Sequence, residues 1–230
     1  MKLLTAPLLA GVPGLVHGFG VRVPGARAVA REAARHAVGD SMEVFFLRQV
    51  HGCSVATPPW TEAPAADASL TDRAGAALAI ETADCLPILI VDPVRRRVAA
   101  AHAGWRGTAL GVAQEAVRAL LGTGSNPGDL LVALGPSIGP CCYEVGREVE
   151  TAFGPSGVGF FVPGPGRRKH LDVAAANRVQ LEALGVHSSR IDRLDLCTRC
   201  RKDLFFSYRR DGASAGRMIS LVGFSRPSPS

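Results

Sequence analysis

Aromatic residues make up only 6% of this 230-residue chain, as two Trp, two Tyr and nine Phe. No apolar run approaches the roughly 18 residues that a membrane-spanning helix needs, so no membrane partner is expected. The scarcity of aromatics matters because the net charge is +6 and the pI about 9.3, a balance that can signal nucleic-acid binding. The basic runs Arg95–Arg97, Arg167–Lys169 and Arg199–Arg210 are scattered. They do not alternate with aromatic side chains as a base-stacking platform does. Lysine is also rare, and nearly all the cations are Arg. A GC-rich genome explains that skew without any function. The expectation is a solvated basic surface with no nucleic-acid partner. A small oxyanion such as phosphate fits better, because guanidinium forks match oxyanions.

What is present reads as globular: 47% hydrophobic and 20% charged residues, enough for one large domain with a real core. The expected organisation is a single domain over 1–225, followed by a Pro/Ser-rich frayed tail at 226–230. The N-terminal stretch Met1–Gly11 carries one Lys, and Pro7 and Gly11 interrupt its apolar run, so a cytoplasmic monomer is expected rather than an exported chain. The six cysteines, Cys53, Cys85, Cys141, Cys142, Cys197 and Cys200, are then read as reduced thiols and metal ligands, not disulfides.

Apolar runs bounded by turn residues predict strands over 44–50, 76–82, 87–92, 97–101, 130–134, 160–162, 191–196 and 218–222. Two helices are predicted. One is capped by Thr108 and runs through Ala109, Val112, Ala116, Val117 and Leu120 to a stop at Gly122. The other is capped by Asp172, with Val173, Ala176, Val179 and Leu184 inward, and ends at Gly185. A shorter helix is expected from Glu144. Strands and helices mix without a regular βαβ rhythm, so the fold class is α+β rather than a doubly wound sheet.

The chemistry-bearing residues sit at strand ends, where a rigid scaffold hands side chains to a site. His51 follows Arg48-Gln49-Val50 and precedes Gly52. His102 ends the apolar run from Val98 and opens Ala103-Gly104-Trp105-Arg106-Gly107. Cys85 lies in the polar break Glu81-Thr82-Ala83-Asp84-Cys85 between two apolar strands. Two imidazoles and one thiolate are a good three-ligand set for Zn²⁺ that leaves a fourth place open, where bound water has its pKa lowered to about 7. A Cys85–His102 nucleophile–base dyad uses the same groups, and the ligand types do not separate the two readings; the second His favours the metal. Cys197-Thr198-Arg199-Cys200 alone reads as loop structure, because Cys141-Cys142 is adjacent rather than spaced and suits a zinc ribbon poorly. The turn-rich run Gly135–Glu144 could cradle an anion on its backbone N–H groups or serve as a tight structural turn.

Gln49-Val50-His51-Gly52, Ala83-Asp84-Cys85-Leu86-Pro87, His102-Ala103-Gly104-Trp105-Arg106-Gly107 and Gly135-Pro136-Ser137-Ile138-Gly139-Pro140-Cys141-Cys142-Tyr143-Glu144-Val145 together resemble the purine nucleoside phosphorylase family once labelled multicopper polyphenol oxidase or laccase-domain proteins. Its bacterial members include the peptidoglycan editing factor. His17-Gly18-Phe19 resembles the family's N-terminal pattern. Cys197-Thr198, Phe206–Gly212 and Gly216-Arg217-Met218 resemble its C-terminal one. The resemblance implies a layered α+β sandwich of mixed sheet with flanking helices, similar to a bacterial deamidating toxin's catalytic domain. It implies His51, Cys85 and His102 as metal ligands, with zinc as the metal and Cu²⁺ able to enter in vitro. It implies phosphorolysis of adenosine, inosine and methylthioadenosine, so a purine nucleoside and phosphate as partners, with adenosine deamination as a further activity. It does not imply a true laccase, which needs many more ligands than the six His present. Relative to the family pattern the chain is short around residues 20 to 40, which trims one substrate-facing loop. For the remaining roles, Asp84 and Glu144 are the candidate proton carriers, Asp84 alternatively orienting a metal-bound His. Arg48 and Arg106 are the candidate phosphate holders. The alternative function is a Cys–His hydrolase acting on an amide or a misincorporated peptidoglycan precursor.

Overall fold

The computed structural model describes residues 1–25, 27–39, 42–165 and 168–227. Arg167 and positions 228–230 of the expected tail lie outside them. In chain order the elements are β1 (Leu3–Leu4), α1 (Pro7–Ala10), β2 (Leu15–Gly20), α2 (Arg27–Val38), β3 (Glu43–Phe46), β4 (Val55–Ala56), β5 (Ala68–Thr71), β6 (Ala76–Thr82), β7 (Leu86–Asp92), β8 (Arg97–Ala103), α3 (Trp105–Ala109), α4 (Val112–Gly122), β9 (Leu131–Leu134), β10 (Glu144–Val145), α5 (Arg147–Phe153), β11 (Phe161–Pro163), β12 (Lys169–Leu171), α6 (Val173–Glu182), β13 (Ile191–Arg193), α7 (Tyr208–Asp211) and β14 (Met218–Phe224).

Two mixed sheets stack face to face. One has the order β1-β2-β14-β6-β3 and the other β13-β9-β7-β8-β5-β4. A third, three-stranded sheet, β10-β12-β11, stands apart in its pairing. The central strands are buried on both faces, which is why they read as continuous apolar runs rather than alternating ones. Their period of two sorts the side chains into layers. Leu78 and Ile80 of β6 meet Leu89 and Val91 of β7 and Val98 and Ala100 of β8 between the sheets. Ala77 and Ala79 point the other way, onto Ala30, Ala34 and Val38 of α2. Ile88, Ile90, Ala99 and Ala101 face outward onto Val112, Ala113, Ala116, Val117 and Leu120 of α4, with Leu181 of α6 in the same cluster. The result is the expected α+β sandwich, with helices outside both sheets.

Several local expectations are corrected. The first predicted helix is two helices: Thr108 lies inside α3, and α4 starts after Gly111, whose φ of 80° makes the corner. The Thr108 hydroxyl is buried and accepts a hydrogen bond from Asn177 Nδ2 at 2.9 Å, tying α3 to α6 instead of capping a helix. Asp172 does cap α6, accepting from the Ala175 N–H at 2.9 Å, but Val179 is 49% exposed rather than inward. Glu144 starts a strand, not a helix; α5 begins after Gly146. The strand predicted over 44–50 ends at Phe46, because beyond it the chain turns to wrap a carboxylate described below. Residues 27–38, within the segment read as a trimmed loop, form α2.

Candidate metal centre and cleft

β6 and β7 are joined by Ala83-Asp84-Cys85, and β8 runs beside β7 with Pro87 opposite His102. That register brings Cys85, at the start of β7, next to His102, near the end of β8. His51 arrives from the turn after β3, held at a φ of 62° that non-glycine residues rarely adopt. Potential ligand atoms of His51, Cys85 and His102 all lie within 4.8 Å of one another. The Cys85 Sγ is 3.9 Å from His51 Nε2, and the two imidazole centroids are 4.9 Å apart. Gly104 is required here, since a Cβ on it would stand 3.0 Å from both the Cys85 Sγ and His51 Cδ2.

One residue holds both histidines of the triad, and no sequence pattern marked it. Asp67 is fully buried just before β5. Its Oδ1 accepts from the His51 N–H at 2.9 Å and lies 2.8 Å from His102 Nδ1. Its Oδ2 accepts from the N–H groups of Val50 at 3.0 Å and Gly52 at 2.7 Å. A buried carboxylate so surrounded stays ionised. Burial pushes its pKa up, but the His102 bond and the Gly52 and Val50 amides bring it below the ordinary value. It therefore fixes the His102 proton on Nδ1 and turns Nε2 toward Cys85 and His51. The Cys85 thiol is opposed by burial yet drawn down to about 6 by His102 and then His51. His102 is raised to about 9, against burial, by Cys85 and Asp67.

These residues fit zinc. The donor set is two imidazole nitrogens and a sulfur, with Cys85 and His102 giving up their protons as the ion binds. The Cys85 Sγ–His51 Nε2 separation of 3.9 Å is a few tenths of an ångström wider than the edge of about 3.5 Å that a tetrahedron with ordinary Zn–N and Zn–S bonds requires. The carboxylate on the far side of His102 is the partner that metal-bound imidazoles commonly have.

The triad opens into a cleft of about 360 Å³ lined also by Arg27, Gln49, Glu81, Asp84, Tyr143, Tyr208, Arg209 and Arg217. Gln49 explains its place beside His51. Its side-chain amide donates to the Glu81 carbonyl at 2.8 Å and accepts from the Glu81 N–H at 2.9 Å, continuing the β3–β6 pairing where β3 has ended. The Asp84 carboxylate accepts from Thr198 Oγ1 at 2.6 Å, Ser207 Oγ at 3.0 Å and the Arg209 N–H at 2.7 Å. It clamps the C-terminal loop to the cleft, while the orienting role toward His102 belongs to Asp67. Arg48 is exposed, its backbone bridged to Ala65. Arg106 is exposed and stacks on Trp105, its Cζ 4.5 Å from the ring centroid. Neither lines the cleft. The Glu144 carboxylate pairs with Arg168 at 2.6 Å, also outside the lining. His17 is buried and accepts from the Ala6 N–H at 3.2 Å, a structural part. In the turn after β9 the amides are spent internally, Ile138 on the Asp84 carbonyl at 2.9 Å and Cys142 on that of Gly139 at 2.9 Å. These bonds are those of a tight turn. The same turn carries Cys141 and Cys142 to Cys197 and Cys200, which brings the four sulfurs within 4.8 Å of one another.

Residues 23–225 match the family described as multi-copper polyphenol oxidoreductase laccase. The chain is similar to a protein named Purine nucleoside phosphorylase YlmD from Geobacillus stearothermophilus, 44% identical over 170 residues that make up 71% of this chain and 61% of that protein. A solved crystal structure of YlmD from that species has a TM-score of 0.88 at 32% identity, covering 98% of this chain and 97% of that one. A Deinococcus radiodurans protein named Purine nucleoside phosphorylase is 40% identical over 207 residues, 87% of this chain and 79% of its own. A protein named Adenosine deaminase RL5, from an unknown prokaryotic organism, is 38% identical over 198 residues, 80% of this chain and 76% of its own. No helix among the described residues is long and apolar enough to cross a membrane.

Proposed function

Because the chain belongs to the multi-copper polyphenol oxidoreductase laccase family, we propose that it is a zinc-dependent purine nucleoside phosphorylase acting on adenosine, inosine and methylthioadenosine, with adenosine deamination as a further activity. The observation that carries the reading is the convergence of His51, Cys85 and His102 at one end of a cleft lined by arginine and tyrosine. The relatives named purine nucleoside phosphorylase and adenosine deaminase supply the substrate class.

In phosphorolysis an oxygen of phosphate bonds to C1′ of the ribose as the C1′–N9 bond breaks. The purine leaves with the bonding pair and takes up a proton. Zinc, when bound by His51, Cys85 and His102, supplies Lewis acidity at a position with one coordination place free. Arg209 and Arg217 are the cleft cations placed to hold phosphate, in preference to Arg48 and Arg106. Arg209 is steadied by donating to the Glu144 carbonyl at 2.8 Å and lies 5.4 Å from the Tyr143 ring centroid. Burial, and then the charges of Cys85 and Asp84, push the Tyr143 hydroxyl well above its ordinary pKa against the pull of Arg209, so it stays a hydrogen-bond donor toward the substrate. Asp84 acts as a positioning residue through Thr198, Ser207 and Arg209, and Glu144 acts through the carbonyl that holds Arg209.

The test is adenosine or inosine turnover with and without phosphate, scored as free base plus ribose 1-phosphate. The expected result is phosphate-dependent cleavage that dialysis against chelator abolishes and zinc restores. Arg209→Ala should lower cleavage on the order of 10–100-fold, more than it lowers deamination, and Arg48→Ala should leave both within about twofold. Equal losses in the two Arg variants would contradict the assignment. A second reading, a Cys–His hydrolase acting on an amide or a misincorporated peptidoglycan precursor, is favoured by the thiolate–imidazolium character of Cys85 and His102. Chelator-insensitive activity lost on thiol alkylation would select it.

A further inference from the structure

A second set of soft ligands lies outside the cleft. The sulfurs of Cys141, Cys142, Cys197 and Cys200 all fall within 4.8 Å of one another. Cys142 and Cys200 are 3.4 Å apart at sulfur, and Cys141 and Cys200 3.8 Å. Four Zn–S bonds of about 2.3 Å arranged tetrahedrally put sulfurs about 3.8 Å from each other. A disulfide needs about 2.05 Å, far shorter than either separation.

The backbone is shaped around this cluster. The ligands come from two turns far apart in the chain, and the Thr198 N–H donates to the Ser137 carbonyl at 3.0 Å to hold the turns together. The Gly139 N–H donates to the Cys197 Sγ at 3.3 Å, a bond that a thiolate accepts better than a thiol. Cys141 and Cys200 are exposed and the other two half-buried, so an ion can enter from solvent.

We propose that Cys141, Cys142, Cys197 and Cys200 form a second, structural zinc site that fastens the turn after β9 to the loop before α7. Four thiolates and no open place make a closed site, which has no part in bond-making. Each thiol gives its proton to solvent as the ion binds. Its value lies in what the two turns carry. Thr198, between Cys197 and Cys200, holds the Asp84 carboxylate, and Tyr143, next to Cys142, lines the cleft. The inference stands apart from the nucleoside reading, since it uses none of the three ligands in the cleft.

The experiment counts zinc per chain by native mass spectrometry in the full-length protein purified with zinc present. Wild type should hold two ions, Cys85→Ala one, and the double variant Cys141→Ser/Cys200→Ser one. The Cys85→Ala protein leaves all four cysteines native, so its remaining ion does not depend on whether the double variant folds. In that protein, cobalt should give the intense thiolate-to-metal absorption of a tetrathiolate site. No ion in Cys85→Ala, two ions still held by the double variant, or a wild-type mass short of two hydrogens from a disulfide would each overturn the proposal. One ion in wild type that survives in Cys85→Ala would support this site and count against the one in the cleft.

Discussion

Asp67 gathers more of the cleft than any of the three residues that face the metal position. One carboxylate takes the N–H groups of Val50, His51 and Gly52 and the Nδ1 of His102. Replacing it by Asn keeps the shape but removes the charge and gives Oδ2's amide partners a donor to face. Buried donors left unmatched cost about 1–3 kcal/mol, and lost outer partners of a metal-bound His typically cost 10–100-fold in metal affinity. Asp67→Asn should therefore weaken zinc binding by about that factor in a competition titration with a chromophoric chelator; unchanged affinity would show that Asp67 does not orient His102. The three triad residues were legible because each breaks its setting: a His or Cys at the end of an apolar strand, beside Gly or Asp. Asp67 was not, since a lone Asp among alanines carries no period and no motif. Arg48 and Arg106 were chosen for closeness in sequence to a ligand candidate, and neither is among the residues that line the cleft. Arg106 lies exposed on α3 and Arg48 lies exposed beyond the end of β3.

At the scale of elements, α2 is held to its sheet by chemistry as well as by packing. Glu81 on β6 is buried and faces Arg27 and Arg31, one helical turn apart on α2. Burial pushes its carboxyl pKa up, but bonds from Arg27 and Arg31 bring it below the ordinary value. The unfolded chain thus takes up this proton before the folded one does. The stability Glu81 contributes is present above the usual glutamate pKa of about 4.3 and is lost as pH falls through the lower folded value. Urea midpoints of wild type and Glu81→Gln should differ at pH 7 and converge as the pH falls below the ordinary glutamate range. A gap independent of pH would contradict the ionic account. The α2 helix itself escaped the sequence reading because its buried stripe is only Ala30, Ala34 and Val38, too slight to stand out among Arg and Ala. β5 escaped for a like reason: Ala68-Ser69-Leu70-Thr71 is short and barely enriched in strand formers. By contrast α4 and the doubly buried strands β6, β7 and β8 were plain, because long apolar periods leave few alternatives.

For the whole molecule, the layered sandwich explains why the motifs are spread along the chain. Each lies where a central strand ends or a turn returns, and stacking two sheets brings those ends to one edge. Sequence order alone does not reveal that meeting, nor the gathering of four cysteines from two distant turns. The central claim is that His51, Cys85 and His102 share one zinc ion that keeps a place open for the reaction. Anomalous diffraction at the zinc edge, from crystals grown with zinc and soaked in adenosine, tests it most directly. The account predicts a peak bonded to His51, Cys85 and His102 together, with the nucleoside in the adjoining cleft. No peak among those three residues would contradict it.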